Sequence, residues 1–435
     1  MIKPSRAHRF DIRCNIGDVI VANLAMHIVF FFERRLDTGA LASALAHALD
    51  SVPVFAGRMA MARPAMTIRC DGQGVPLTAE SSDGTLGDAI RSTLQGNGSW
   101  LVDPVNGPLA RWGWGPLCRV RVTHLADGAT AIGVSWHHAI GDMQSLMHFM
   151  NAWAAAASGK PLAVPLIVED RVAYLDEHLP ADGAREPGVR CLRPAEIARG
   201  AWYLANEARR QRTLSLYFGE DEIARMRSAY GNRIRLSAND VVCAHVSEAL
   251  MRTDPAVDRR ALAIVVNARN RCGLDPMLIG NIVTTLNVDL RRGEGAQAIA
   301  ERIRHTVDHF ADEHCDMRIN QRFLDAIGAV RAVRCVTSSF NPDRWNPLVS
   351  NQSSFGVYRL QFEDTTPAYC ALLMTLPIAG IGALLEGAGG RGLVFQMNLP
   401  SKEFEAASSP AVQQHLHRFR RADDDIPRLH RELHG

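Results

Sequence analysis

The segment CRVRVTHLADGATAIGVSWHHAIGDMQSLMHFMNAWAAAA, Cys118 to Ala157, leaves the chain little freedom. Two runs rich in β-branched and apolar residues flank the turn sequence Ala126-Asp127-Gly128, so they read as an antiparallel pair of strands. Directly afterwards Met143, Leu146, Met147, Met150 and Trp153 recur at three- and four-residue spacing, the stripe of a helix with one buried face. A sheet followed by a helix that covers it places the chain in the α/β class. It also puts His137, His138 and Asp142 where a strand ends and a helix begins, a position that presents side chains to a cleft.

The same mixture runs through the rest of the sequence. Residues 17–33, GDVIVANLAMHIVFFFE, read as one buried strand, and DTGALASALAHALDSVP as an amphipathic helix that Pro53 stops. PVFAGRMAM and MTIRCDGQGV read as a hairpin. A stretch rich in Pro, Gly and charge covers residues 158–200. Beyond it TLSLYF reads as a strand, GEDEIARMRSAYG as an acidic-started helix, and NDVVCAHVSEALMR as a helix opened by a capping box of Ser237 and Asp240. RALAIVVNARNR, IGNIVTTLNVDL, RCVTSSF, FGVYRLQF, ALLMTLPIA and RGLVFQMNLP read as strands. GAQAIAERIRHTVDHFADEH and SKEFEAASSPAVQQHLHRF read as helices, and the charged end as a fraying tail. The expected architecture is two α/β lobes with mixed sheets flanked by helices: residues 1–185, a crossover linker over 186–212, and residues 213–435.

Composition narrows the function classes. With 435 residues, 47% hydrophobic, two or three domains can each bury a core. The formal net charge of +2 predicts no nucleic-acid and no membrane partner, and the cluster Arg209, Arg210, Arg212 reads as a solvated helix face. Nine scattered cysteines without a Cys-x-x-Cys read as free thiols in a reducing compartment. The opening residues hold no apolar signal-peptide core, so a soluble cytoplasmic protein is expected.

Local chemistry allows three readings of the histidine pair. Histidines and a carboxylate are good ligands for zinc or ferrous iron, but adjacent residues of a strand point to opposite faces, which argues against one shared metal. A second reading is packing alone. In the third, one histidine faces a cleft as a neutral imidazole and takes a proton from an attacking hydroxyl or amine, a task that a pKa near 6.5 suits. The other histidine then turns inward, and Asp142 holds the loop through an arginine and helix N-terminal amides. His245 reads as a core histidine, His148 as structural or exposed, and RWGWG (111–115) as a loop that packs its tryptophans.

HHAIGD resembles the His-His-x-x-x-Asp motif of the superfamily that includes chloramphenicol acetyltransferase, condensation domains and the BAHD acyltransferases. VPVFAGRM, IRCDGQGV, WAAAASGKPLAVPLIVEDR, LSANDVVCAHVSEAL and VVNARNRCGLDPMLIGN resemble BAHD segments, in the same order along nearly the whole chain. The resemblance implies two chloramphenicol-acetyltransferase-like lobes with the active-site channel at their interface. It implies His138 as general base, with His137 supporting the site, and Asp142 as a structural partner of an arginine, Arg269 first and Arg271 second. Gly280 and Asn281 would line the channel. Asn351 and Ser353 would supply oxyanion or substrate-binding donors. QFEDTTP (361–367) stands where the family carries Asp-Phe-Gly-Trp-Gly, and Met143 stands where condensation domains carry glycine.

The function so implied is acyl transfer to a hydroxyl or amine of a small molecule, directly in a ternary complex, by a monomer. The co-substrate would be acyl-CoA, with no permanently bound cofactor and no metal. Three alternatives stand beside it. One is a condensation-type enzyme taking acyl-phosphopantetheine from an acyl carrier protein. The others are a metal-dependent hydrolase and a non-catalytic binding module.

Overall fold

The two runs around Asp127 form strands Cys118–His124 and Thr130–His137, paired antiparallel from Cys118–Trp136 to His124–Thr130. A computed structural model carries them, and it describes every residue except 63–64, 97, 181–185, 207–209, 232–233, 342–344, 375–377 and 435. Arg209 of the basic cluster and the TLP of ALLMTLPIA lie outside the described residues.

These strands sit inside a five-stranded sheet ordered Tyr369–Leu372, Ala25–Phe32, Thr130–His137, Cys118–His124, Leu77–Ser81. Alternate residues of Ala25–Phe32 point to opposite faces, and both faces are covered. Ile28, Phe30 and Phe32 join a core with Leu45 of helix Thr38–Ser51 and with Leu146, Met150 and Trp153 of helix Met143–Ala157. Val29 and Phe31 pack on the other side with Ile90 of helix Leu86–Leu94. That double burial is why AMHIVFFF is almost unbroken hydrocarbon.

The second lobe holds a six-stranded mixed sheet ordered Val283–Arg291, Arg259–Asn267, Leu348–Asn351, Ile381–Glu386, Leu393–Leu399, Arg212–Phe218. Leu262, Ile264, Leu286 and Leu384 share a core with helices Ala238–Thr253 and Ala296–Asp308. The other face carries Ala263, Val265, Thr285, Ser350 and Ala383, which line a cavity instead. The lobe arrangement and the mixed sheets are thus as expected. The Ser237–Asp240 capping box also forms, closing the start of helix Ala238–Thr253.

Several elements differ from the sequence expectation. Residues 17–33 are not one strand: Asn15 and Asp18 make a capping box that winds Ile16–Ile20 into a helix, and the strand begins at Ala25. FGVYRLQF is not a strand: Gly356 adopts φ 66°, and a 3₁₀ turn follows over Val357–Arg359. The charged tail carries helix Arg428–His434, with His430 buried and its Nε2 accepting the Ala388 N–H at 2.7 Å. Within 186–212, strand Val189–Cys191 pairs with Cys335–Thr337, and helix Pro194–Asn206 follows. No helix among the described residues is long and apolar enough to cross a membrane.

Candidate active site

Where the Thr130–His137 strand ends, the two histidines separate. His137 is fully buried. Its Nδ1 accepts the Ala139 N–H at 3.3 Å, so the proton resides on Nε2, which donates to the Gly107 carbonyl at 3.2 Å. Burial pulls its pKa down to about 4, so the ring is neutral. Both nitrogens are committed to the backbone, and the ring shapes the corner.

His138 faces the other way and lines a cavity of about 1080 Å³. Its main chain is held on both sides: its N–H donates to the Leu24 carbonyl at 2.9 Å, and its carbonyl accepts Asn281 Nδ2 at 2.7 Å. Nδ1 is buried with no hydrogen-bond partner among the described residues. Burial lowers the ring's pKa below the usual imidazole value, while its own carbonyl and Asp142 oppose that shift. Both lobes build the cavity wall: Ile16, Leu24, Met26 and Trp136 from the first, Val265, Trp345 and Phe355 from the second. Trp202, from the helix that follows Val189–Cys191, lines it as well. Its surface is mostly hydrocarbon, as ligand sites are.

Asp142 caps helix Met143–Ala157 and is tied to the second lobe. Its Oδ1 accepts the Ser145 N–H at 3.0 Å, and its Oδ2 accepts Arg269 Nη1 at 2.7 Å and the Ile282 N–H at 3.1 Å. Burial alone would raise its pKa, but the Arg269 guanidinium and these donors hold it below the usual carboxylate range. Arg269 is itself fully buried and donates to the Leu278 and Gly280 carbonyls. Arg271 is exposed and takes no place around Asp142, whose oxygens are already filled.

A second buried ion pair stands behind the histidine, and sequence reasoning missed it. Asp18 and Arg171 meet at 2.9 Å, and both are almost wholly buried. Arg171 also donates to the Ile140 carbonyl at 3.2 Å, while Asp18 accepts Asn281 through both its main-chain N–H and its Nδ2 at 3.0 Å. The available signal was the Asn-Ile-Gly-Asp capping box at residues 15–18, which the following apolar run obscured.

Three expectations need correction. Gly280 and Asn281 do not line the cavity: both are buried one layer behind it. Gly280 has φ 148°, and a Cβ there would come within 3.0 Å of Arg171 Nε, so only glycine fits against that guanidinium. Ser353 does not offer its hydroxyl to a ligand, because its Oγ donates to Asn351 Oδ1 at 2.8 Å and its N–H donates to the same oxygen at 2.9 Å. Asn351 does line the cavity, and with its oxygen so occupied its NH₂ is the end left to donate.

A histidine thus stands at the seam of two α/β lobes, beside a cavity walled by both. The chain matches the model of the Transferase family over residues 1–409 and belongs to that family, that of the BAHD acyltransferases. It is 26% identical to hydroxycinnamoyltransferase 2 of Oryza sativa subsp. japonica over 407 residues, covering 84% of this chain and 89% of that protein. It is 29% identical over 160 residues to a hydroxycinnamoyl-CoA:5-hydroxyanthranilate N-hydroxycinnamoyltransferase of Avena sativa, a match that spans 34% of this chain and only 36% of that relative's length. F. graminearum TRI101, solved with coenzyme A and deoxynivalenol, shares the fold with a TM-score of 0.73 over 93% of this chain and 98% of its own, at 12% identity.

Proposed function

We propose that the protein moves an acyl group from an acyl-CoA thioester to a hydroxyl or amine of a small molecule, with His138 as general base. The observation that carries this reading is the His138 imidazole, lining a cavity that both lobes wall. The acceptor's proton passes to Nε2 as its oxygen or nitrogen attacks the thioester carbonyl. The Asn351 NH₂ is the side-chain donor suited to the oxyanion. Collapse of the tetrahedral species expels the thiolate, and His138 returns the proton to it. The lowered pKa keeps the ring neutral below the ordinary imidazole value, so the acid limb of kcat/KM falls below pH ~6.5. One chain supplies both walls, which supports action as a monomer.

The likeness to a hydroxycinnamoyltransferase over most of both chains, and to a fold solved with coenzyme A, supports acyl-CoA as donor. The test is free-thiol release from a panel of acyl-CoAs with pooled alcohols and amines. Transfer only from an acylated carrier protein would instead support the condensation-type reading. His138→Ala lowers turnover by at least ~10²-fold while the protein stays folded; full turnover in that variant ends the base assignment. The metal reading finds no support in the geometry, since His137 spends both nitrogens on the backbone and Asp142 spends both oxygens on Arg269, Ser145 and Ile282. Turnover unchanged by chelators is the matching expectation.

A further inference from the structure

Most polar groups near the cavity are spoken for. Asn351 is held by Ser353, Asn267 donates to Gln144, and Glu196 pairs with Arg190 at 2.9 Å. Gln352 differs. It lines the cavity yet is only 6% exposed. Its main-chain N–H donates to the Leu384 carbonyl at 2.7 Å, which pins the residue to the wall beyond strand Leu348–Asn351. Its Oε1 is buried and has no hydrogen-bond partner among the described residues. Phe355, Leu372 and Ala383 line the same cavity with hydrocarbon. A carboxamide oxygen kept in such a wall without a partner is disfavoured unless something in the cavity donates to it.

We infer that Gln352 is a specificity-determining residue whose side-chain oxygen accepts a hydrogen bond from a substrate hydroxyl remote from the reacting carbonyl. The acyl chain and the acceptor are the two sources of such a hydroxyl. The inference rests on the acyl-transfer reading and adds to it: the cavity selects a hydroxylated substrate over its deoxy analogue. The selection follows from desolvation. The deoxy analogue leaves Oε1 without a donor, whereas the hydroxylated one supplies it.

The experiment measures kcat/KM for matched pairs that differ by one hydroxyl. The acyl arm uses 4-hydroxycinnamoyl-CoA and cinnamoyl-CoA, and the acceptor arm uses tyramine and phenethylamine. The wild type favours the hydroxylated member of one pair by about 10-fold. Gln352→Met keeps the length of the side chain and removes the amide, and it brings that ratio to about one. Gln352→Glu keeps a carbonyl acceptor at the same reach and retains the preference, which covers the case of a methionine variant that folds poorly. The arm that responds identifies the source of the hydroxyl. An unchanged ratio in Gln352→Met, or an equal loss on both members of each pair, overturns the inference; the latter marks a wall residue satisfied by water. A wild type that turns over acyl-CoA with no preference in either arm overturns it alone. A wild type that turns over no thioester overturns the acyl-transfer reading along with it.

Discussion

Two buried ion pairs brace the His138 turn, and they do so differently. Asp142–Arg269 joins the lobes: the aspartate caps a helix of the first, and the arginine follows strand Arg259–Asn267 of the second. Asp18–Arg171 belongs to the first lobe and holds the Ile140 carbonyl, while Asn281 links Asp18 to the His138 carbonyl. One pair fixes how the lobes meet at His138, and the other fixes the path of the main chain through it. Taking charges out of water is costly, so neither pair is an efficient source of stability. Their common product is a histidine whose backbone cannot shift.

The largest expected effect comes from breaking one partner of a pair. Arg269→Met and Arg171→Met each strand a buried carboxylate and destabilise by ~3–5 kcal/mol, read from denaturant midpoints. Arg269→Met sits at the upper end, because it also strips donors from Leu278 and Gly280. Replacing both members of the inner pair, Asp18→Leu with Arg171→Met, sharpens the contrast: part of the lost stability returns, the Asn281 and Asn15 donors staying unpaired, yet turnover stays low because Ile140 has lost its anchor. Recovery of both together would reduce that pair to packing.

Acid comes next. His137 is neutral in the fold with a pKa near 4 and takes a proton near 6.5 when unfolded. Its contribution, on the order of 3 kcal/mol, is whole above pH ~6.5 and is lost as the pH falls toward 4. Melting temperatures over that window, in wild type and His137→Asn, isolate it.

Asn281→Ala has a smaller cost, ~1–2 kcal/mol for the lost bonds to Asp18 and to the His138 carbonyl. A fall in kcat larger than that of KM separates loosening of the base from loss of a binding contact. Smallest of all is Arg271→Ala, within ~0.5 kcal/mol of wild type and with full turnover, since that side chain is exposed. A large effect there would overturn the assignment of Arg269 as the arginine that counts.

The two pairs also differ in how visible they are in the sequence. Asp142 stands one residue before an amphipathic helix, where a capping aspartate is expected, and NARNR offers arginines to a familiar motif. Asp18 precedes an apolar run that overwhelms its own capping box, and its partners lie 153 and 263 residues away. Sequence spacing carries local signals such as caps, turns and stripes, whereas a cation 153 positions off leaves none. The same limit explains Ser353 and Gln352. Both belong to a short polar stretch, and only the register of strand Leu348–Asn351 decides which neighbour faces the cavity and which side chain is spent on another. Layer order, in contrast, was legible, because runs such as AMHIVFFF have one reading once helices lie on both faces.

Strand Tyr369–Leu372 closes the edge of the first lobe's sheet although it arises deep in the second half of the chain. The polypeptide therefore passes between the lobes more than once: Leu175 and Leu179 pack in the second lobe's core, Leu324 and Ala332 in the first lobe's, and the strand Tyr369–Leu372 is followed by Ile381–Glu386 in the second lobe's sheet. Halves laced in this manner cannot swing apart like a clamshell without tearing sheet hydrogen bonds. Neither half expressed alone would hold a finished sheet or a finished wall.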